Sequence, residues 1–369
     1  MIRIDKVKLE NARPYDLCQI EPHAHLNVIV GDNGCGKTTV LEAIYIALTG
    51  KSFKTSKLKE FIQNEKPYCK IQVTLNQEES REVVLKARSK ELYKNGAKAK
   101  ALSEFCQGIA CISLIPEDVA MINGASQYRR RYLDHILFYQ DPAYAGLLQD
   151  YKKALTQKNS LLKAKLDIKV YLDQVSPWHQ QMIQYNQKIR QKRKSVIDQL
   201  FQPITNYYTE ISAGKGQLTV SYKQNESDFA QSIAEKSVLE HALARSLYGS
   251  HKDDVQLDLR GYDLNHYASQ GERASALLAL KFAELNHIKQ INQNIILLLD
   301  DIGGTLDAKR RHVLLEQLKT EKYQTFIASA DKNIEEMSQK LGASIYKQKQ
   351  IESGFTEHSL KSLLWKQQE

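Results

Sequence analysis

An eight-residue stretch near the start of the chain has the composition of a phosphate-binding loop. Residues 31–38 read GDNGCGKT and fit G-x-x-x-x-G-K-[ST], between an apolar strand and an amphipathic helix. Glycines let successive backbone N–H groups turn toward one phosphate, and the following helix presents its positive end to the same anion. Lys37 then reaches the β- and γ-phosphates, while the Thr38 hydroxyl ligates Mg²⁺. A Gly-rich turn without a ligand is the alternative. We predict a nucleotide site made of Gly31, Asp32, Asn33, Gly34, Cys35, Gly36, Lys37, Thr38 and Thr39.

Two adjacent carboxylates follow a wholly apolar run late in the chain. Residues 296–299 read ILLL and precede Asp300 and Asp301, as expected for a buried strand. A carboxylate at such a strand end, beside a phosphate loop, holds Mg²⁺ through water, and we assign this role to Asp300. Asp301 is then placed to orient or polarise the attacking water. The alternative is two acidic residues that merely end a strand.

A serine opens a strongly helical segment 31 residues before Asp300. Ser269, with the N–H groups of the helix N-terminus behind it, makes a second anion site. A plain helix N-cap would use the same serine. Its order relative to the two aspartates favours the anion site.

Composition and cysteine usage limit the class of protein. The 369 residues are 42% hydrophobic and 26% charged, and no apolar run approaches the length of a membrane span. The N-terminus alternates like a strand and has no signal-peptide block. Five scattered cysteines without a C-x-x-C pair argue against disulfides and a zinc site. We therefore expect a cytoplasmic protein that does not enter a membrane.

The positive charge is concentrated in the middle of the chain. Residues 128–194 carry 14 Lys or Arg and 5 Asp, an excess equal to the net charge of +9. Such a region is typical of a polyanion-binding surface, although a solvated helix face has the same composition. For Tyr128 to Tyr132, a helix end with core tyrosines is an equal alternative to DNA contact. The candidate DNA contacts are Arg129, Arg130, Arg131, Lys152 and Lys153.

The pattern of elements predicts an α/β fold. Strands are expected at 2–9, 26–30, 68–87 (two strands), 108–115, 218–222, 255–262, 294–299, 324–328 and 344–347, with an Asn-Gly hairpin turn at 95–96 and a further turn at 353–354. Helices are expected at 127–138, 143–165 and 178–201, with Pro142, Pro177 and Pro203 between or after them, and another follows Ser269. We predict an ATPase lobe at 1–115 and 286–369, with mixed β-sheets around the phosphate loop. A mainly helical lobe at 116–285, without a long coiled coil, would carry the basic region and the Ser269 motif.

The order of these motifs resembles the ABC-type ATPase head. The resemblance implies a homodimer with ATP sandwiched between subunits, in which the Ser269 motif of one subunit meets the γ-phosphate bound to the other. It also implies nucleotide contacts from Gln270, Gly271 and Asp307. ABC transporter subunits have a shorter gap before the signature and a switch histidine, and SMC proteins insert hundreds of coiled-coil residues. This chain has neither feature.

Within that group the chain resembles the RecF family of bacterial recombination mediators over nearly its full length. The matching stretches are residues 50–55 (GKSFKT), 115–118 (IPED), 130–134 (RRYLD), 151–163, 249–254 (GSHKDD) and 269–271 (SQG), together with aspartate at 301. The chain departs from the family pattern at residues 303–305, Gly-Gly-Thr.

The RecF resemblance implies a nucleoid-associated protein of gap repair. It would use ATP and Mg²⁺ to form a homodimer on gapped DNA, hydrolyse ATP slowly, and act with RecO and RecR to load RecA. Two alternatives remain open: an ABC-headed repair ATPase with a motor or nuclease-coupled role, and a scaffold that ATP locks without hydrolysis.

Overall fold

The computed structural model describes residues 2–321, 323–331, 334 and 343–347, and the chain divides into two compact units. Unit 1 comprises Met1–Glu117 and Asn292–Glu369, and unit 2 is Asp118–Ile291. Our boundaries, drawn at 115/116 and 285/286, lie two and six residues from these. The turn predicted at 353–354 lies outside the described residues.

Unit 1 contains most of the strands, and unit 2 is mostly helical. The strands are β1 Ile4–Ala12, β2 Tyr15–Ile20, β3 Leu26–Val30, β4 Tyr68–Leu75, β5 Glu79–Lys86, β6 Lys90–Lys94, β7 Ala97–Lys98, β8 Ala110–Leu114, β9 Leu218–Lys223, β10 Asp254–Leu259, β11 Tyr262–Asp263, β12 Ile295–Asp300, β13 Gln324–Ser329 and β14 Ser344–Lys347. The α-helices are α1 Lys37–Thr49, α2 Leu102–Cys106, α3 Ala120–Asn123, α4 Ser126–Gln140, α5 Tyr144–Lys163, α6 Ile168–Ser212, α7 Phe229–Ala242, α8 Leu264–Tyr267, α9 Gln270–Ile291, α10 Ile302–Thr305 and α11 Ala308–Thr320. Short 3₁₀ turns lie at Leu58–Phe61 and Pro116–Val119.

A parallel sheet forms the centre of unit 1. Its strand order is β14-β3-β13-β12-β8, and every described pairing in it is parallel. Strands β3, β8, β12 and β13 are buried throughout, because parallel sheets are covered on both faces and their strands carry continuous apolar runs. The carboxyl ends of β3 and β12 lie at one edge of this sheet, so the phosphate loop and Asp300 leave the sheet on the same side.

An antiparallel sheet, with strand order β2-β1-β4-β5-β6-β7, completes the β structure described in unit 1. The predicted Asn-Gly turn is confirmed between β6 and β7, where Asn95 and Gly96 both have positive φ. The buried Gln324 amide joins the two sheets. It accepts a hydrogen bond from Ile4 N (2.7 Å) and donates to the carbonyls of Ile4 and His23. The predicted mixed α/β architecture around the phosphate loop is therefore confirmed.

The longest element of unit 2 is the 45-residue helix α6. It packs against α5, α9 and β9 within this unit. We predicted a helix at 178–201 with Pro177 and Pro203 outside it, and this was wrong because both prolines lie inside α6. Each interior proline costs a backbone hydrogen bond and about 3 kcal/mol. A row of buried apolar residues from Tyr171 to Ile211 offsets that cost by tertiary packing.

Other predictions failed where a local signal was weak. The single strand predicted at 255–262 is a hairpin, because Arg260 and Gly261 adopt positive φ and turn the chain between β10 and β11. Strand β2 and helix α7 were not predicted, since their short apolar stretches have no clear period. None of the helices in the described residues is long and apolar enough to cross a bilayer.

A buried carboxylate joins α6 to the β9–β10 sheet of unit 2. The Asp253 side chain is fully buried and accepts hydrogen bonds from Arg190 Nε (2.8 Å) and Nη2 (2.7 Å), the Tyr222 hydroxyl (2.6 Å) and Asn225 N (3.0 Å). Arg190 also pairs with Glu226 at 2.7 Å. The Gly-Ser-His-Lys-Asp-Asp stretch thus has a structural role in this unit.

Asp253→Asn tests this anchor. We expect the free energy of unfolding to fall by about 3 kcal/mol, because the substitution leaves the buried Arg190 guanidinium without its main counter-charge. Urea denaturation followed by circular dichroism measures the change. The matched control is Asp173→Asn, at an exposed position of α6, with an expected change within about 0.5 kcal/mol. Equal stabilities of the two variants would show that Asp253 anchors nothing.

A buried histidine on α6 should make the stability of unit 2 sensitive to acid. His179 is 8% exposed, and burial, aided by nearby Lys158, lowers its pKa to about 3. The unfolded chain takes up this proton near pH 6.5 while the folded chain does not, so the stabilisation is complete above pH 6.5 and is lost as pH falls toward 3. Between pH 7 and 5 the loss is about 2 kcal/mol. His179→Gln should lose about 2 kcal/mol less over that range in urea titrations; parallel curves for the two chains would contradict the assignment.

Candidate nucleotide site and the second anion motif

The phosphate loop joins the buried strand β3 to helix α1. Gly34 and Gly36 have φ values of 82° and 93°, which favour glycine. A Cβ on Gly36 would lie 2.6 Å from the Tyr15 hydroxyl, which itself donates to the Cys35 carbonyl at 3.1 Å. Tyr15 therefore supports the loop through this hydrogen bond, and its ring leaves no space for a side chain at position 36. The aromatic support was not predicted, because Tyr15 lies 20 residues away with no local signal.

The donors of the loop are arranged for an anion. Helix α1 begins at Lys37 without a side-chain cap on its N-terminus, so its first N–H groups are not satisfied by any side chain in the described part of the loop. The Lys37 ammonium donates to the carbonyls of Gly31 (2.9 Å) and Asp32 (2.7 Å) and lies over the loop. Residues 32–34 are exposed. Uncapped N–H groups and a lysine above them are the features that bind phosphate at a helix N-terminus.

A hydrogen bond links the loop to the strand that carries the two carboxylates. The Thr38 hydroxyl donates to Asp300 Oδ1 at 3.1 Å. Asp300 is 6% exposed, and burial raises the pKa of its carboxyl to about 6; Thr38 acts in the opposite direction, and Asp301 and Glu117 raise the pKa further. A bound cation would stabilise the charged carboxylate against this burial.

The donor chemistry of this pair fits Mg²⁺ bound together with a nucleotide. The described residues contain no group of three or more His, Cys, Asp or Glu side chains that would hold a metal by themselves. One hydroxyl and one carboxylate, with the remaining ligands from phosphate and water, are typical of Mg²⁺ in nucleotide sites. Thr38 and Asp300 are thus brought together as the predicted metal role requires.

Asp301 follows in a strained backbone conformation. The φ of Asp301 is 43°, and its N–H donates to the Ala328 carbonyl at 3.0 Å. The residue is exposed. A Cβ on Gly304 would lie 2.7 Å from Asp301 Oδ2. The glycine that departs from the family pattern therefore makes room for the Asp301 carboxylate. Left-handed, non-glycine residues of this kind concentrate at functional sites.

Two further carboxylates of unit 1 serve local structure. Asp307 caps helix α11, where it accepts a hydrogen bond from Arg310 N at 2.9 Å and pairs with the Arg310 guanidinium. Asp331 follows β13 and accepts from Arg311 Nη1 at 2.6 Å. A nucleotide contact by Asp307 stays a prediction, and the described contacts of its side chain are those of a helix cap.

Ser269 lies at the start of α9 in unit 2 and takes part in a capping box. Its N–H and hydroxyl both donate to Glu272 Oε2, at 2.9 and 2.8 Å, and Glu272 N donates back to the serine oxygen at 3.3 Å. Arg260 Nη2 donates to the other oxygen of Glu272 at 2.6 Å. Gln270 and Ser269 are exposed and Gly271 is half-buried. The structure thus shows the helix-cap role of Ser269; its role toward a phosphate stays a prediction.

The five candidate DNA contacts divide into two half-buried arginines and three exposed cations. Arg129 makes a two-pronged ion pair with Asp254 (2.8 and 2.9 Å), and Arg130 donates to the Asp253 carbonyl and to Ser126 Oγ. Both arginines therefore stabilise unit 2. Arg131, Lys152 and Lys153 are exposed. Tyr132 is a core residue whose hydroxyl donates to the Leu280 carbonyl at 2.9 Å, and Tyr128 lies 5.7 Å beneath the Arg131 guanidinium.

One buried carboxylate near the loop was missed from the sequence. Glu42 on α1 is 2% exposed, and burial raises its pKa. It accepts a hydrogen bond from the Ser52 hydroxyl at 2.5 Å, and Ser52 in turn accepts from the N–H groups of Lys54 and Thr55. The Gly-Lys-Ser-Phe-Lys-Thr stretch is held to α1 in this way. An acidic residue on the buried face of an otherwise apolar helix was the signal that we passed over.

Comparisons with known proteins agree with these motifs. The family described as RecF/RecN/SMC N terminal domain matches residues 3–353. The DNA replication and repair protein RecF of Halalkalibacterium halodurans is 31% identical over 349 residues, which cover 89% of this chain and 93% of that protein.

Solved structures show the same fold. A structure described as the recombination mediator protein RecF-ATP in the RecFOR pathway has a TM-score of 0.82 and 26% identity, covering 89% of this chain and 92% of that one. An Smc head domain from Pyrococcus furiosus has a TM-score of 0.52 at 16% identity, and this likeness concerns the fold alone. The predicted ABC-type head is confirmed, and no long coiled coil is present among the residues that the structure describes. The family match, the RecF relative and the RecF structure agree with one another. This chain therefore belongs to the RecF family within the wider RecF/RecN/SMC group.

Proposed function

We propose that this chain is an ATP-dependent DNA-binding protein of recombinational repair that works as a switch, with two copies closing around ATP. The single observation that carries the proposal is the contact between Thr38 and Asp300 beside the phosphate loop. There, helix α1 has no side-chain cap and the Lys37 ammonium lies over the loop. Support for the biological role comes from the RecF relatives, which are described as DNA replication and repair proteins.

The loop residues would bind and orient the triphosphate. The Lys37 ammonium would leave the carbonyls of Gly31 and Asp32 for the phosphate oxygens, since an ammonium gains more from an anion than from neutral carbonyls. Thr38 and Asp300 would hold Mg²⁺, which when bound neutralises charge on the phosphate oxygens. Asp301, exposed and adjacent, would accept a hydrogen bond from the attacking water and set its direction.

The partner copy would supply Ser269. Ser269 is exposed, and its N–H and hydroxyl both donate to the Glu272 carboxylate. A carboxylate held by these donors is a chemical stand-in for a phosphate oxygen, which supports their use as an anion site. Gln270 and Gly271 would line the same site. In this proposal a γ-phosphate bound to one copy displaces Glu272 of the other.

DNA would bind along exposed cations of unit 2, with Arg131, Lys152 and Lys153 as candidates. Arg129 and Arg130 would act indirectly, since their internal hydrogen bonds position the helix that carries Arg131. By resemblance to the RecFOR pathway of the solved relative, the partners would be RecO and RecR, and the result would be RecA loading at gaps.

Asp301→Asn distinguishes a switch that ATP hydrolysis resets from a scaffold that ATP locks without hydrolysis. We expect the variant to bind ATP and dimerise but to release phosphate at least about a hundredfold more slowly, because the amide cannot accept a proton from water. Phosphate release and sedimentation velocity with ATP measure the two properties. Ser269→Arg is the control that should bind ATP yet stay monomeric. Unchanged turnover in Asp301→Asn, or ATP-dependent dimers of Ser269→Arg, would overturn the proposal.

The salt dependence of DNA binding tests the exposed cations. Replacement of Arg131, Lys152 and Lys153 by alanine should reduce the slope of log affinity against log salt by about 0.9 for each phosphate contact removed. Fluorescence anisotropy with a gapped duplex, between low and moderate salt, measures the slope. A control variant replaces the exposed Lys59 and Lys100 of unit 1 by alanine. An unchanged slope in the unit 2 variant would place the DNA elsewhere.

A further inference from the structure

Two exposed tyrosines lie side by side just before the Ser269 motif. Tyr267 is 74% exposed and Tyr262 is 63% exposed, and they are the two most exposed of the large hydrophobic residues in the described part of the chain. Their ring centroids are 5.5 Å apart, with the ring planes tilted by 53°. This tyrosine pair therefore forms one aromatic surface. Such a surface is typical of an interface, because tyrosine combines a large apolar body with a polar tip.

The backbone that carries the tyrosine pair is held in place at both residues. Tyr262 begins strand β11 and pairs with Leu259 of β10. Tyr267 ends helix α8, whose N-terminus is capped by the Asp263 carboxylate, which accepts from Asn265 N at 2.8 Å. The two rings are thus presented by a strand and a capped helical turn.

Two hydrogen bonds join this segment to helix α9, which carries the second anion motif. Arg273 Nη2 donates to the Asn265 carbonyl of α8 at 2.8 Å. Arg260, in the turn between β10 and β11, donates from Nη2 to Glu272 Oε1 at 2.6 Å. The tyrosine pair therefore has a fixed position relative to the first turn of α9.

Tyr267 and Ser269 lie on the same side of the chain. Ala268, between them, is 7% exposed and has an extended backbone, with φ −81° and ψ 141°. In an extended segment, residues two apart lie on the same face, and Tyr267 and Ser269 are both exposed. Two residues span at most about 7 Å. A large surface that meets the Ser269 hydroxyl therefore also meets Tyr267.

The charges around the tyrosine pair are balanced. Residues 258–273 contain two arginines and three acidic residues. Lys215, whose carbonyl accepts from Arg260, brings the count to three cations and three acids. Nucleic acid binds through cations that are not already neutralised, so this surface does not fit a polyanion. An aromatic surface of balanced charge fits a protein surface instead.

We propose that ATP binding brings the tyrosine pair against a second copy of this chain, where it packs on the exposed rim of the partner's phosphate loop, residues 32–34. This contact rests on the proposed function, in which Ser269 of one copy meets a phosphate held by that loop in the other. The rim has room for a ring, since residues 32–34 are exposed and a Cβ on Gly34 would meet no atom within 4 Å. The pair thus adds to the affinity between copies and not to ATP binding by a single copy.

Hydroxyl-radical footprinting tests whether a second copy covers the tyrosine pair. The full chain is oxidised with and without Mg²⁺ and a non-hydrolysable ATP analogue, and the oxidation of each side chain is measured by mass spectrometry. We expect the oxidation rates of Tyr262 and Tyr267 to fall at least about threefold in the dimer, because the centre of an interface excludes solvent. Leu172 and Leu239, exposed elsewhere in unit 2, are internal controls whose rates should stay the same.

Substitution of the tyrosine pair measures its contribution to the dimer. Tyr262→Ser with Tyr267→Ser should weaken ATP-dependent dimerisation at least about tenfold in sedimentation velocity, and should change ATP binding by the monomer less than about twofold. Tyr262→Phe with Tyr267→Phe keeps the rings and should stay within about threefold of the wild-type dimer affinity. The matched control, Leu172→Ser with Leu239→Ser, removes exposed apolar side chains elsewhere in unit 2 and should leave that affinity unchanged.

The outcomes distinguish a failure of this contact from a failure of the shared site. A wild-type chain that stays monomeric with the analogue, or ATP-dependent dimers of Ser269→Arg, would overturn both. Wild-type dimers in which both tyrosines stay fully reactive, or a serine double variant that dimerises as tightly as the wild type, would overturn this contact alone. Protection of the pair by a single-stranded oligonucleotide without ATP would assign it to nucleic acid. Because footprinting uses the unaltered chain, it decides even where thermal melts show that the serine double variant is unfolded.

Discussion

The hydrogen bond between the Thr38 hydroxyl and the Asp300 carboxylate holds the nucleotide site of unit 1 together. It joins the first turn of α1 to the end of β12, two elements 262 residues apart in the chain. The bond exists because β3 and β12 belong to one parallel sheet, separated by β13, and end at the same edge. The same burial that positions Asp300 raises the pKa of its carboxyl to about 6, and a cation would compensate this cost. The position of Asp300 and its need for a compensating cation thus arise from one packing arrangement.

Unit 2 uses charge in a different way. Several cations of its basic stretch are internal, because Asp253, Asp254, Glu226 and Glu240 neutralise them. Removing one partner of a buried ion pair is costly, because the other charge is left buried without a counter-charge. This network therefore holds α4, α5, α6, α7 and the β9–β10 sheet in one arrangement. Charge left over for a polyanion is confined to exposed positions. An excess of lysine and arginine in a sequence therefore overstates the positive surface when acids elsewhere in the chain fold against it.

The sequence predicted the features that depend on neighbouring residues. Gly31 to Thr38 specified a loop, strand and helix, Asn95 and Gly96 specified a turn, and the apolar run before Asp300 specified a buried strand. Pro177 and Pro203 misled us, because proline is a strong local signal that long-range packing overrode in α6. The partners of Arg129 and Arg190 were beyond prediction, since ion pairs between residues 125 and 63 positions apart leave no local pattern. Ser269 shows the limit most clearly. The residues of a helix cap and of a phosphate site are the same, and only a bound ligand distinguishes them.

Mixing two inactive variants tests the shared site most directly. In the proposed dimer, Lys37→Ala would remove the phosphate contact in its own copy, and Ser269→Arg would remove the serine that each copy contributes to its partner's site. A mixed pair keeps one complete site, made of the intact loop of one copy and the intact serine of the other. ATP hydrolysis, absent from each variant alone, should therefore return on mixing equal amounts to at most about half of the wild-type rate, because each mixed pair has only one of its two sites complete. No recovery at protein concentrations where the wild-type chain dimerises would contradict a site built from two copies.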